Sequence, residues 1–83
     1  MIKPTNGRIV WFTPPHSDTS IVRHGTDPLA AIIVHVWNYR MINIAAFDAN
    51  GTLHAQTSVT LLQDDDRKPE YGRFATWMPY QKG

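Results

Sequence analysis

The chain has no cysteine among its 83 residues, so neither a disulfide nor a thiolate-held metal can stabilise it. It has no apolar run near the roughly 20 residues that a membrane-spanning helix needs. Its start, Met1-Ile2-Lys3-Pro4, carries no apolar signal segment. A cytoplasmic protein with no membrane partner is the expectation. Charge excess is nearly absent as well: a net charge of +1 is too small for a duplex-DNA binder, whose basic stripe neutralises several phosphates at once. Catalytic signatures are missing, since no Gly-x-Ser-x-Gly elbow surrounds a serine and no glycine-rich phosphate loop occurs. The expectation is therefore no enzymatic activity, no catalytic residue and no cofactor.

What is present is β-forming sequence. Residues 8–12, Arg-Ile-Val-Trp-Phe, predict a first strand of high β propensity. Pro14 and Pro15 end it, because neither can donate to a ladder. Residues 13–28 hold Gly25, His16, Arg23, His24 and a single apolar pair, Ile21-Val22. A loop of that length in a compact domain is either functional or poorly ordered, and both readings stay open. Residues 29–62 organise the chain: apolar runs at 30–37, 41–47 and 53–62 predict a three-stranded antiparallel meander. The turn Asp48-Ala49-Asn50-Gly51 contains the Asn-Gly pair that supplies positive φ in a hairpin. Residues 63–72, with Asp64, Asp65 and Asp66, read as a solvated connection. Residues 73–80 have the aromatic spacing of a short closing strand, which Pro79 ends or confines to an edge.

These elements predict one all-β domain over residues 1–83: a small SH3-like five-stranded antiparallel barrel. A strongly bent open sheet that dimerises through its exposed face is the alternative. The period-two pattern puts Ile32, Val34 and Val36 on one face of the second strand and Ile33, His35 and Trp37 on the other. A barrel covers only its interior, so Ile33 and Trp37 are read as outer residues that another subunit, the long loop or the C-terminal segment must cover. In the fourth strand Leu53, Ala55, Thr57, Val59 and Leu61 are read as the core face. An unstapled chain this short, apolar on both faces of a strand, points to a homo-oligomer.

The four histidines, His16, His24, His35 and His54, fall at no spacing that puts two on one strand face, so no metal site is expected. The triple aspartate lacks the alternate spacing of a calcium loop. A different constellation combines aromatic rings (Trp11, Phe12, Trp37, Tyr39, Phe74, Trp77, Tyr80) with arginines (Arg8, Arg23, Arg40, Arg67, Arg73). Rings stack on bases and guanidinium forks bind phosphates, which suits a nucleotide or a single-stranded nucleic acid. The opposing reading makes two of the three tryptophans core and the arginines ordinary surface. If the long loop, the 38–40 turn and the C-terminal segment converge at one end of the sheet, Arg23, His24 and Arg40 would hold phosphate oxygens. Trp37, Tyr39 or Trp77 would then supply the stacking face.

The opening Lys3-Pro4-Thr5-Asn6-Gly7-Arg8-Ile9-Val10-Trp11-Phe12, the central Val36-Trp37, Asn43, Phe47-Asp48-Ala49-Asn50-Gly51 and Thr57-Ser58-Val59, and the closing Trp77-Met78-Pro79-Tyr80-Gln81 resemble a family of small proteins encoded by tailed phages and prophages. The resemblance covers most of the chain and is weakest between His16 and Asp27. It implies a setting inside a bacterial host cell. There, proteins of this size counter host defences by sequestering a nucleotide immune signal between subunits of a homo-oligomer, or by occluding a host protein. The first expectation is therefore a non-catalytic protein that sequesters a nucleotide-derived small molecule. An interaction module inhibiting a host defence protein, or a small phage assembly factor, is the alternative. A single-stranded nucleic-acid-binding barrel is the third.

Overall fold

The computed structural model describes residues 1–64, 66–69 and 72–79; Asp65, Tyr80 and Gln81, named above, lie outside the described residues. Five strands form where the β-branched and aromatic runs stand: β1 (Ile9–Thr13), β2 (Leu29–Asn38), β3 (Met41–Phe47), β4 (Leu53–Leu62) and β5 (Phe74–Thr76). They close into a barrel in chain order. The all-β, five-stranded barrel is thus as the sequence predicts, with one difference in strand direction. β5 is antiparallel to β1 but parallel to β4, pairing Leu61 with Ala75 and Leu62 with Thr76. The connection from Leu62 to Phe74 brings the chain back so that β5 re-enters in the direction of β4, which a hairpin cannot do.

The core is drawn from every strand: Val10 and Phe12 of β1, Ala31 and Ile33 of β2, Ile42, Ile44 and Ala46 of β3, Val59 and Leu61 of β4, and Ala75 of β5. Two face assignments made from strict alternation are corrected here. Ile33, expected outside, is 1% exposed and sits in the core opposite Ile44. A bulge sets Val34 and His35 together against Asn43, so both point outward and Val36 returns inward to pack on the core. On β4 the pairs Ile42↔Val59 and Ile44↔Gln56 leave Thr57 and Ser58 opposite Asn43. Parity therefore flips there. His54 and Gln56 lie on the inner side, whereas Leu53, Ala55 and Thr57 are exposed. Ser58 carries the bulge with φ 53°, a left-handed conformation that costs an L-residue about 1–2 kcal/mol.

The ends of the barrel are closed by two polar hubs. At one end Gln63, expected in a solvated connection, is 1% exposed. Its Nε2 donates to the carbonyls of Ile2 and Tyr39, both at 2.8 Å, and its Oε1 accepts from Trp77 Nε1 at 3.0 Å and from Ile2 N at 3.2 Å. Both donors and both lone pairs of the amide are used. At the other end Ile21 enters the core from the 14–28 loop, whose Val22 carbonyl accepts from Ala49 N at 2.8 Å. That loop is therefore anchored at its midpoint by one buried side chain and by backbone bonds to the β3–β4 turn.

Replacing Gln63 with Leu keeps volume but strands the Trp77 indole N–H and the Tyr39 and Ile2 carbonyls. The Trp77 N–H is fully buried and costs about 1–3 kcal/mol when left unsatisfied; the part-buried carbonyls add less, so Gln63→Leu is expected to lower stability by about 2–4 kcal/mol. Urea denaturation followed by circular dichroism reads this; an unchanged midpoint would contradict the network.

Candidate functional site

The six ligand residues expected from the sequence do not meet. Trp77 is 2% exposed, bonded to Gln63 and covered by the Arg8 guanidinium 4.8 Å from its ring centroid; it belongs to the core. Trp37, Tyr39 and Arg40 stand at the β2–β3 turn, whereas Arg23 and His24 lie on the 14–28 loop, which is tied to the β3–β4 turn. Those turns sit at opposite ends of the seven-residue β3, roughly 20 Å apart at the usual strand rise. The convergence fails because consecutive hairpin turns alternate ends, and the loop leading into β2 shares the end of the β3–β4 turn. Arg40 is also engaged. Its Nε and Nη2 donate to the Asp66 carboxylate at 2.8 and 3.3 Å. That contact, followed by the Gln63 backbone N–H, holds the Asp66 carboxyl below the ordinary carboxylate range.

Trp37 is 59% exposed, yet its position is fixed. Its Nε1 donates to Asn43 Oδ1 at 2.9 Å, and the same oxygen accepts the backbone N–H of the bulge residue Ser58 at 2.8 Å. His35 stacks edge-on against the indole with centroids 4.5 Å apart. The two β2 register shifts bracket this corner, so the bulges turn Val34, His35 and Trp37 to the outer surface. In the sequence Asn43 stands within the motif that carries the phage-family resemblance, with no role at a site assigned to it. A lone amide between β-branched neighbours was the available signal.

The strand registers line up two further apolar rows on the outer face. Trp11, Ala30, Phe47 and Leu53 are successive cross-strand partners from β1 to β4, as are Ile9, Ile32, Ala45 and Ala55. No charged side chain interrupts either row. Leu53, 56% exposed, closes the first. Contiguous apolar surface of this kind on a small domain marks an interaction site more often than scattered apolar residues do.

At the loop end a depression of about 270 Å³ opens between the 14–28 loop and the β3–β4 turn, with His24, Asp27 and Asp48 on its polar side and Pro28, Ala30 and Phe47 on its apolar side. Arg23 reaches across the loop to donate from Nη2 to the Asp27 carbonyl at 3.1 Å, and its Nε is shielded without a partner among the described residues. Asp48 is not a free ligand group. Its Oδ1 accepts the N–H groups of Asn50 and Thr52, at 2.9 and 3.0 Å, and its Oδ2 lies 2.8 Å from His54 Nε2 and 3.5 Å from Val22 N. The His54 contact, aided by these N–H bonds and opposed by burial, holds the Asp48 carboxyl down at about 2. An aspartate opening an Asp-x-Asn-Gly turn is the sequence signal for such a hub. Among the described residues no cluster of three or more His, Asp or Glu side chains could hold a metal ion. Among the described residues no helix is long and apolar enough to cross a membrane.

No protein-family model, no curated protein and no solved structure matches the chain. The resemblance to small phage proteins therefore stands on the sequence motifs alone.

Because the Asp48 carboxyl titrates at about 2 in the folded chain and near 3.9 when unfolded, the unfolded state takes up the proton first as pH falls. The stability contributed by Asp48 is full above about pH 4 and is lost progressively toward pH 2. Asp18 and Asp66, also held low, act in the same sense. Urea midpoints measured from pH 5 to pH 2 are expected to drop steeply for the wild type. They should drop less steeply, from a lower starting value, for Asp48→Asn; parallel curves would contradict this role.

Proposed function

We propose that the protein is a non-catalytic docking module that binds a protein partner through the outer surface around Trp37. The observation that carries this reading is a tryptophan left largely in solvent while its N–H and ring edge are both held, by Asn43 and His35. A fixed aromatic ring loses little conformational freedom on binding, and tryptophan is among the residues that dominate interface energies. Val34 and Met41, both exposed on the adjoining strands, extend the apolar contact area.

Capture of a nucleotide-derived signal has weaker support. An anion clamp would need Arg23 and His24 to work with Arg40, and they occupy opposite ends of β3. Arg40 faces Asp66, and Asp64 binds the N-terminal ammonium at 3.2 Å, so the Trp37 end carries carboxylates as well as cations. The same carboxylates disfavour the phosphate backbone of a single-stranded nucleic acid. Occlusion of a host protein, one of the two modes implied by the phage resemblance, needs no such clamp and suits an apolar, weakly charged surface.

Trp37→Ala is expected to remove partner binding while changing stability by no more than about 1 kcal/mol, since the side chain is exposed. Affinity retention from host-cell lysate, run beside thermal melts of both forms, checks this. A specific band held by the wild type and lost in a folded Trp37→Ala protein supports the reading. Equal retention by both forms, or a wild-type melting shift of several degrees with cyclic oligonucleotides or adenosine-diphosphate-ribose derivatives, would overturn it.

A further inference from the structure

β4 is ten residues long, but β5 covers it only at Leu61 and Leu62. From Leu53 to Thr57 its second edge has no strand beside it among the described residues, although the barrel is closed above. The direction of the ladder shows which groups that edge presents. Asp48 N donates to the Thr52 carbonyl at 3.0 Å. In an antiparallel pair such bonded partners recur every second residue, so Thr52, His54 and Gln56 turn their backbone groups toward β3. Leu53, Ala55 and Thr57 turn theirs away. Of these, the Thr57 carbonyl accepts one bond, from Arg73 Nη2; the N–H and C=O of Leu53 and Ala55 have no partner among the described residues. The side chains of Leu53, Ala55 and Thr57 are all exposed. The stretch itself has no proline and no lysine, and the charged side chain that reaches this edge, Arg73, sits at its Thr57 end and leaves Leu53 and Ala55 unguarded.

We propose that this edge is a homodimer interface, in which β4 of a second copy of the chain pairs antiparallel with β4 about a twofold axis through Ala55. In that register Ala55 exchanges both backbone bonds with its own copy, and Leu53 exchanges both with Thr57 of the other chain, each carbonyl keeping a lone pair for the new donor. All the outward groups are then satisfied by the same segment read in reverse, which is the condition for a closed isologous contact. Charge favours the second copy over a foreign strand. Residues 49–63 contain no Asp, Glu, Lys or Arg, so self-pairing brings no like charges together, while nothing in the strand would select a charged partner. Size limits the contact to one partner: the Asp48–Thr52 turn bounds it on one side, and the Ser58 bulge, whose N–H is taken by Asn43, bounds it on the other. Across the axis the outer rows ending in Leu53 and Ala55 become continuous from one barrel to the next. This interface is formed by the backbone edge of residues 53–57 and not by the Trp37 ring, so it can fail without the docking surface proposed above failing.

The test is solution mass by light scattering, at protein concentrations from about 5 to 200 µM, with amide hydrogen exchange. The wild type is expected to reach twice the 9.5 kDa of one chain. Its Leu53 and Ala55 amides should slow at least tenfold as concentration rises. Ala55→Pro removes only an N–H that points away from β3, which an edge strand tolerates, and should give a folded protein of single-chain mass. Ala55→Glu, which puts two carboxylates face to face at the axis, should do the same and replaces the proline variant if that one fails to fold. A wild type of single-chain mass throughout, concentration-independent exchange at Leu53 and Ala55, or a folded Ala55 variant that keeps the double mass would each overturn the proposal.

Discussion

The structure depends on how little strand is available to close it. β2 and β4 have ten residues each, but the strand that joins β4 to β1 has three. A ladder that short cannot cap both ends of a barrel, and the chain has no disulfide to help. Closure is completed instead by side chains that reach across. Gln63 ties the N-terminal arm, the β2–β3 turn and the segment after β5 into one knot, using every hydrogen-bonding position of its amide. Asp66 extends that knot by accepting the Gln63 N–H at 2.8 Å and pairing with Arg40. At the far end Ile21 fills the opening and Asp48 fixes the turn above it. The same shortage leaves half of β4 without a second neighbour among the described residues, so the seam that limits the barrel also creates its free edge.

Much of this fold is legible in the sequence. The β-branched runs locate β1 to β4 within a residue or two, the Asn-Gly turn sets the β3–β4 hairpin, and the aromatic close predicts β5. Strict alternation holds along β3, where Ile42, Ile44 and Ala46 are all buried. It fails in β2 and β4 for one reason: an inserted residue moves every later side chain to the opposite face, and nothing in Val34-His35 or Thr57-Ser58 announces the insertion. Ile33 and Leu53 changed sides on that account. Gln63 was hidden differently. An amide beside three aspartates looks solvated, and only tertiary contacts from positions as distant as Ile2 make it a core residue. Asp48 was visible as a turn former, but its pairing with His54 depends on a parity set by the Ser58 bulge.

The failed convergence of the six expected ligand residues has a plainer cause. Residue types were assembled by chemistry without following the chain through its hairpins. β2 begins where the long loop ends and finishes at the 38–40 turn, so arginines on those two segments are separated by the length of a strand. What the fold does bring together is apolar: Trp11, Ala30, Phe47 and Leu53 in one row, Ile9, Ile32, Ala45 and Ala55 in the next. Three of its arginines are engaged within the fold, Arg40 by Asp66, Arg8 by the Trp77 ring and Arg73 by Gln56 and Thr57. The apolar rows are therefore the continuous feature of the outer surface, whereas the cations are dispersed and, among the described residues, Arg40 is the one arginine or lysine paired with a carboxylate.

Asn43 links the two surfaces that this architecture exposes. One oxygen atom accepts the indole N–H that fixes Trp37 and the backbone N–H that holds Ser58 in its left-handed turn. Without the second bond the bulge would lack compensation for its backbone strain, and the pairing of β4 beyond Thr57 would not be forced to stop. Without the first, Trp37 would be an ordinary mobile surface ring that must be ordered at a cost whenever something binds. The bulges on β2 and β4 both face Asn43, so the curvature that closes a barrel on so short a seam is concentrated where the outer surface is most aromatic. Closure and display thus rest on the same residue, which is how a chain with so small a core keeps a rigid exposed tryptophan.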